Sequence, residues 1–141
     1  MLVRCLYASR AIEPASANAL DRILEKSRKN NVPRGITGLL CYSHGNFVQV
    51  LEGGRGAVSS LLGLIYTDNR HTSLNLLMFE EIAERHFGNW TMGKVNIDNV
   101  NSGALLKYSE KAELDPFASP ARATLALLLE LAASGSIANR G

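Results

Sequence analysis

Residues 31–53 read NVPRGITGLLCYSHGNFVQVLEG, and this stretch carries the end of a helix into a two-strand unit. Pro33 and Gly35 stop the preceding helix, because the residue before a proline is driven out of helical geometry. Ile36 to Tyr42 reads as a strand, Ser43-His44-Gly45-Asn46 as a hairpin turn, and Phe47 to Glu52 as the partner strand. Side chains two apart in a strand share a face, so Gln49 stands between Phe47 and Leu51 on an apolar side. Burying an unpaired amide costs about 1–3 kcal/mol, so Gln49 requires donors and acceptors from other side chains or from a bound polar ligand.

Outward from that unit, Leu2 to Ala8 forms a strand with Val3, Cys5 and Tyr7 on one side and Leu2, Arg4 and Leu6 on the other. The Pro14 and Ser16 region opens an amphipathic helix on which Ala17, Leu20, Ile23, Leu24 and Ser27 follow the i, i+3, i+4 rule to about Asn30 or Asn31. After Gly53-Gly54-Arg55-Gly56, a second helix places Val58, Leu61, Leu62 and Ile65 on one face. Those glycines lack the spacing of a phosphate loop and read as a strand-to-helix turn. Leu74 to Phe79 is a fourth strand and Trp90 to Val95 a fifth, with a polar connection from Glu80 to Asn89.

Strand, helix, strand, strand, helix, strand is the ferredoxin-like β-α-β-β-α-β arrangement of the α+β class, here with one added strand and a mixed five-stranded sheet. Its first and third strands are neighbours, which brings Tyr7 within reach of Gln49. Trp90 and Met92 are expected on a common face of the fifth strand, beside Gln49. Taken singly, each also reads as a packing residue: Tyr7 as core filler, Asn31 as a helix end, Trp90 and Met92 as core.

The 141 residues suit one domain with one real core. A net charge of +2, with basic residues scattered along the chain, gives no nucleic-acid footprint. Cys5 and Cys41 lie inside strands as buried thiols, and His44, His71 and His86 are too dispersed to make a metal motif with them. The strand-like start at Met1 shows no signal peptide, so the protein is expected in the cytoplasm. The apolar run Leu125 to Ala133, broken by Glu130, is too short to span a bilayer.

Beyond about Asn101, Ala104 to Lys111 is a short helix, and Ala121 to Ala133 is a helix with leucines around much of its circumference. Such a helix is expected to bury more than one side, on the sheet face that the two earlier helices leave open. The reading divides the chain into a domain at 1–97, a helical extension for output or oligomerisation at 98–134, and a disordered tail at 135–141.

Leu6-Tyr7-Ala8-Ser9, Ser27 to Asn31 ahead of Gly35-Ile36-Thr37-Gly38, Phe47-Val48-Gln49-Val50-Leu51-Glu52-Gly53, Asp68-x-Arg70-His71 and Phe87-x-x-Trp90-x-Met92 occur in this order. In these pieces the chain resembles the BLUF domain, the sensor of blue light using FAD, over about residues 1–97. The leucine-rich tail is similar to that of short, stand-alone members. The resemblance implies a flavin between the two helices, FAD or alternatively FMN. Ile23 and Ile65 would pack on its faces, Asn30, Asn31 and Gln49 would bond its polar edge, and Asp68, Arg70 and His71 would complete the site. It also implies photochemistry without substrate turnover. The excited flavin takes an electron, and a proton by way of Gln49, from Tyr7. Gln49 then ends rearranged, and absorption shifts to the red.

Trp90 and Met92 are the implied relay. The implied partner is a downstream signalling protein bound in a light-dependent way, with a homo-oligomer expected, and without nucleic acid or membrane. The chain departs from the short relatives at Leu64, where an arginine commonly reaches the cofactor phosphates, which leaves Arg70, His71, Arg85 or Lys29 for that role, or the phosphate end loose in solvent. The alternative to a photoreceptor is a ferredoxin-like regulatory, ligand-binding or oligomerisation domain without photochemistry. A flavin enzyme is disfavoured, because no nicotinamide motif and no further acid-base set is present.

Overall fold

The computed structural model describes residues 1–11, 17–43, 45–68 and 71–134, with 17–20 and 71 described by backbone alone. Pro14 and Ser16 at the expected helix start, His44 in the hairpin turn, Arg70 and the tail 135–141 lie outside the described residues. β1 (Leu2–Ala11) leads to α1 (Ala17–Asn31), a 3-10 turn at Val32–Arg34, and the hairpin of β2 (Thr37–Ser43) and β3 (Asn46–Gly54). Then follow α2 (Arg55–Tyr66), β4 (His71–Ile82), β5 (Gly93–Asn96), α3 (Ser102–Tyr108) and α4 (Ala121–Ser134). The five strands lie in the order β4-β1-β3-β2-β5. All neighbours are antiparallel except β2 and β5, which run parallel. This is the ferredoxin-like sheet expected from the sequence, with the added strand beside β2.

Strand alternation sorts the side chains into two cores. Val3, Cys5 and Tyr7 of β1 join Leu40, Phe47 and Leu51 beneath Leu24 of α1 and Val58 of α2. On the opposite face, Leu6, Leu39, Cys41, Val48 and Val50 pack against Leu105 of α3 and Leu127, Leu128 and Leu131 of α4. The C-terminal helices therefore cover the second face of the sheet. Burial pushes both thiols, Cys5 and Cys41, up to about 12, so neither is a nucleophile near neutral pH.

On α4 the buried residues Thr124, Leu127, Leu128 and Leu131 follow one i, i+3, i+4, i+7 stripe, while Leu125 and Leu129 are half-buried at its flanks. The helix is thus fully buried on one face rather than several. Lys107 and Tyr108 of α3 both donate to Glu130 Oε1 of α4, at 2.6 and 3.0 Å, and tie the two helices together at their rim. Leu128 is fully buried, so Leu128→Ala is expected to cost about 2–5 kcal/mol in chemical denaturation. A loss below about 1 kcal/mol would mean that α4 does not seal this face.

Two strands differ from their expected limits. β4 extends to both sides of Leu74–Phe79 because β1 offers it partners from Leu2↔Ile82 to Ala11↔His71, and the polar Glu80 and Glu81 are absorbed into an edge strand. β5 begins only at Gly93 and pairs with Leu39 to Tyr42 of β2.

Trp90 and Met92 consequently precede the fifth strand instead of lying on it. The period-two rule does not apply to them, and they occupy opposite cores: Trp90 with the residues under α4, Met92 with those under α1 and α2. Nor is β5 beside the strand of Gln49, since β2 intervenes. The expectation of a common face beside Gln49 is corrected accordingly.

The segment before β5 is held from two directions. Glu52 is completely buried, ion-paired with Arg4 at 2.8 Å, and accepts the backbone N–H groups of His86 and Phe87 at 3.2 and 2.6 Å. The Gly38 N–H donates to the Trp90 carbonyl at 3.1 Å. Only glycine fits at position 38: its φ is +156°, and a Cβ there would lie 1.9 Å from the Val50 carbonyl oxygen.

Candidate functional site

Tyr7 and Gln49 are directly opposite each other in the β1–β3 ladder, so their side chains rise from the same face of the sheet. The Tyr7 hydroxyl donates to Gln49 Oε1, and Gln49 Nε2 donates to the Met92 sulfur at 3.2 Å. All three side chains are buried. Both ends of the amide are thereby engaged, which answers the question that its position in an apolar strand face raised.

The orientation of the amide follows from its neighbours. A thioether sulfur accepts but cannot donate, whereas a phenol hydroxyl does both. With Nε2 toward Met92 and Oε1 toward Tyr7, both contacts are complementary; turned over, the amide would set its oxygen against the sulfur, acceptor against acceptor.

Above this triad, between α1 and α2, lies a cavity of about 510 Å³. Ile23, Lys26, Ser27, Asn30 and Asn31 line it from α1 at spacings of 3, 4, 7 and 8 residues, which is a single helical face. Leu61, Leu64 and Ile65 line it from α2, and Leu40, Tyr7 and Gln49 close it from the sheet. Leu64 is 56% exposed and marks the open side, whereas Asn31 is 1% exposed at the closed one. Asn31 Oδ1 has no hydrogen-bond partner among the described residues. A buried acceptor in that state calls for a donor from a bound molecule.

The cavity thus has apolar side chains on its walls and the buried amides of Asn31 and Gln49 at its inner end, with Asn30 exposed at its mouth, which suits a flat apolar ring with donors and acceptors along one edge. A flavin ring is compatible with this combination of apolar side chains and the buried amides of Asn31 and Gln49.

Among the residues singled out from the sequence, Tyr7, Ile23, Asn30, Asn31, Gln49, Ile65 and Asp68 all meet at this cavity. Met92 reaches it through Gln49, while Trp90 is packed elsewhere, its buried indole Nε1 without a hydrogen-bond partner among the described residues. Arg70 and the His71 side chain lie outside the described residues. Arg85 does not turn to the cavity: it donates to Thr37 Oγ1 at 2.9 Å and to the Glu52 carbonyl at 3.2 Å. Among the described residues Lys29 is not part of the lining either, whereas Lys26, which sequence reasoning passed over, contributes a cation to it. The helical spacing from Ile23 through Lys26 to Asn30 was the signal available for it.

A family described as sensors of blue-light using FAD matches residues 2–93. The chain belongs to the BLUF family. Its cofactor class is therefore FAD, and its function is blue-light sensing. The chain is 32% identical to BlsA in its photo-activated state, with a TM-score of 0.84 over 94% of this chain and 95% of that one. It is 31% identical to BlrB, a BLUF protein in its dark-state structure, with a TM-score of 0.78 over 94% and 96% of the two chains.

It is also 35% identical over 92 residues to the photoactivated adenylate cyclase subunit beta of Euglena gracilis, spanning 64% of this chain but 11% of that relative. In such cyclases the BLUF region is one portion of a much longer protein. No described helix of this BLUF protein is long and apolar enough to cross a membrane.

Proposed function

We propose that this BLUF protein converts blue light into a rearrangement of the Gln49 side chain and passes it on through protein contacts, without turnover of a substrate. The observation that carries the reading is the buried Tyr7–Gln49–Met92 chain at the closed end of the cavity. When bound, the flavin supplies blue absorption and an excited state able to accept an electron. Tyr7 is the donor of that electron and of its hydroxyl proton. Gln49, in contact with the hydroxyl, carries the proton, and on its return is left with the two ends of its amide exchanged. Exchange by rotation or tautomerisation changes the hydrogen bonds that the amide offers toward the cavity, and with them the absorption maximum.

Asn30, Asn31, Ile23, Ile65 and Asp68 hold the cofactor, FAD or FMN, with Arg70 and His71 toward its phosphate end. Met92 is the first step of the relay, since it touches Gln49 directly, and Trp90 the step toward the opposite core. α3 and α4 form the output surface for a signalling partner or a second copy in the cytoplasm.

The test is an absorption spectrum of purified protein supplied with FAD, in darkness and under blue light. A flavin spectrum that moves to the red and recovers in darkness is expected. A protein that binds no flavin, or binds it without a shift, would overturn the reading. Asn31→Ala is expected to weaken flavin binding by about 1–3 kcal/mol, or roughly fivefold to 150-fold in Kd by fluorescence titration. Unchanged affinity would move the anchor away from Asn31.

A further inference from the structure

Met92 is fully buried and its sulfur receives the Gln49 amide, yet no strand holds it there, since β5 begins one residue later. Its backbone is held by α1. Arg28 donates to the Met92 carbonyl through Nε at 3.2 Å and Nη2 at 2.9 Å. Arg28 lies in the last turn of α1 between the cavity residues Ser27 and Asn31, but is not itself part of the cavity lining. Two donors of a rigid guanidinium fork on one oxygen fix both the distance and the direction of the contact, and the positive charge strengthens it.

We infer that Arg28 is a positioning residue of the light switch: it holds Met92 against Gln49 and so sets which end of the Gln49 amide faces Tyr7. The inference rests on the proposed role of Gln49. The sulfur favours the orientation with Nε2 toward it only while it stays within reach. Without the fork, residues 90–92 retain the Gly38–Trp90 bond on one side and the start of β5 on the other, and the Met92 carbonyl between them is released. Arg28 also links the helix that lines the cavity to the segment that leaves Gln49. Through it, a movement of Met92 that follows a change at the amide is passed to α1.

The experiment uses the full chain loaded with FAD and labelled with 13C-methyl methionine, which places one label on each of the three methionines, Met1, Met78 and Met92. Arg28→Ala is expected to shift and broaden the Met92 methyl resonance in darkness while those of Met1 and Met78 stay in place. Flavin affinity should remain within about twofold, and dark recovery of the red-shifted state should change by about tenfold, the scale of one lost charge-assisted hydrogen bond. Arg28→Lys keeps the charge and one donor, and should move both readouts part of the way. If Arg28→Ala fails to fold, the smaller displacement in Arg28→Lys carries the test.

An unmoved Met92 resonance in both variants would overturn the inference. So would a loss of flavin affinity in step with the spectral change, which would make Arg28 a part of the cofactor site or of general stability. If the parent protein shows no red shift, the photoreceptor mechanism fails, whereas the Met92 resonance in darkness still decides whether Arg28 positions it.

Discussion

Tyr7→Phe is expected to bind flavin as the parent protein does and to form no red-shifted state. The substitution keeps the ring, which is 1% exposed and packed in the core under α1 and α2, and removes only the hydroxyl that donates to Gln49 Oε1. The apolar side chains that line the cavity, Ile23, Leu61 and Ile65, are untouched. Phenylalanine is a far weaker electron donor than tyrosine and has no acidic proton, so both parts of the initiating transfer are lost together. The measurement is a light-minus-dark absorption spectrum at matched flavin occupancy. A red shift of parental size that recovers in darkness would remove Tyr7 from the mechanism and leave its contact with Gln49 as packing alone. The cost in stability is that of one buried hydrogen bond with a partner left behind, about 1–3 kcal/mol, which thermal unfolding separates from the photochemical effect.

The residues that make this expectation concrete were legible in the chain to very different degrees. Gln49 was conspicuous because period-two alternation placed an amide on an apolar face, and because the strand order of the fold made β1 and β3 neighbours. The register then pairs Tyr7 with Gln49 directly. Trp90 and Met92 were misplaced for a physical reason. W-x-M carries the same spacing whether or not the backbone is pleated, and nothing in the side chains reveals that the Trp90 carbonyl leaves the strand pattern to accept from Gly38. Glu52 was visible only as part of a motif. Its burial with Arg4 and its grip on the His86 and Phe87 amides depend on a loop 34 and 35 residues away, which local periodicity cannot report. Arg28 was hidden in the same way, as one of several charges on an amphipathic helix, because its partner is a main-chain oxygen 64 residues further on.

Gln49→Leu tests the other half of the mechanism, and here the expected loss is of the signal and not of the cofactor. Leucine fills a similar volume in surroundings that already include Leu40, the neighbour of Gln49 across the β2–β3 ladder, and Met92. The site therefore closes over the substitution without a large cavity. On the proposed binding mode Asn31 remains as an anchor, so flavin is expected still to bind, with an affinity lower by about tenfold for one lost hydrogen bond. What leucine cannot do is present two unlike ends. A donor toward Met92 and an acceptor toward Tyr7 make the amide a group with two distinguishable orientations, and a symmetric apolar side chain has none to exchange. The variant should accordingly bleach and recover as an ordinary bound flavin, with its absorption maximum in the same place before and after illumination. A red shift of parental size in Gln49→Leu would show that the shifted state needs no amide, and the switch would then have to be sought in the hydrogen bonds of Asn31. Loss of flavin from Gln49→Leu together with retention in Asn31→Ala would instead make Gln49 the principal anchor, with the two residues exchanging the roles argued from their burial.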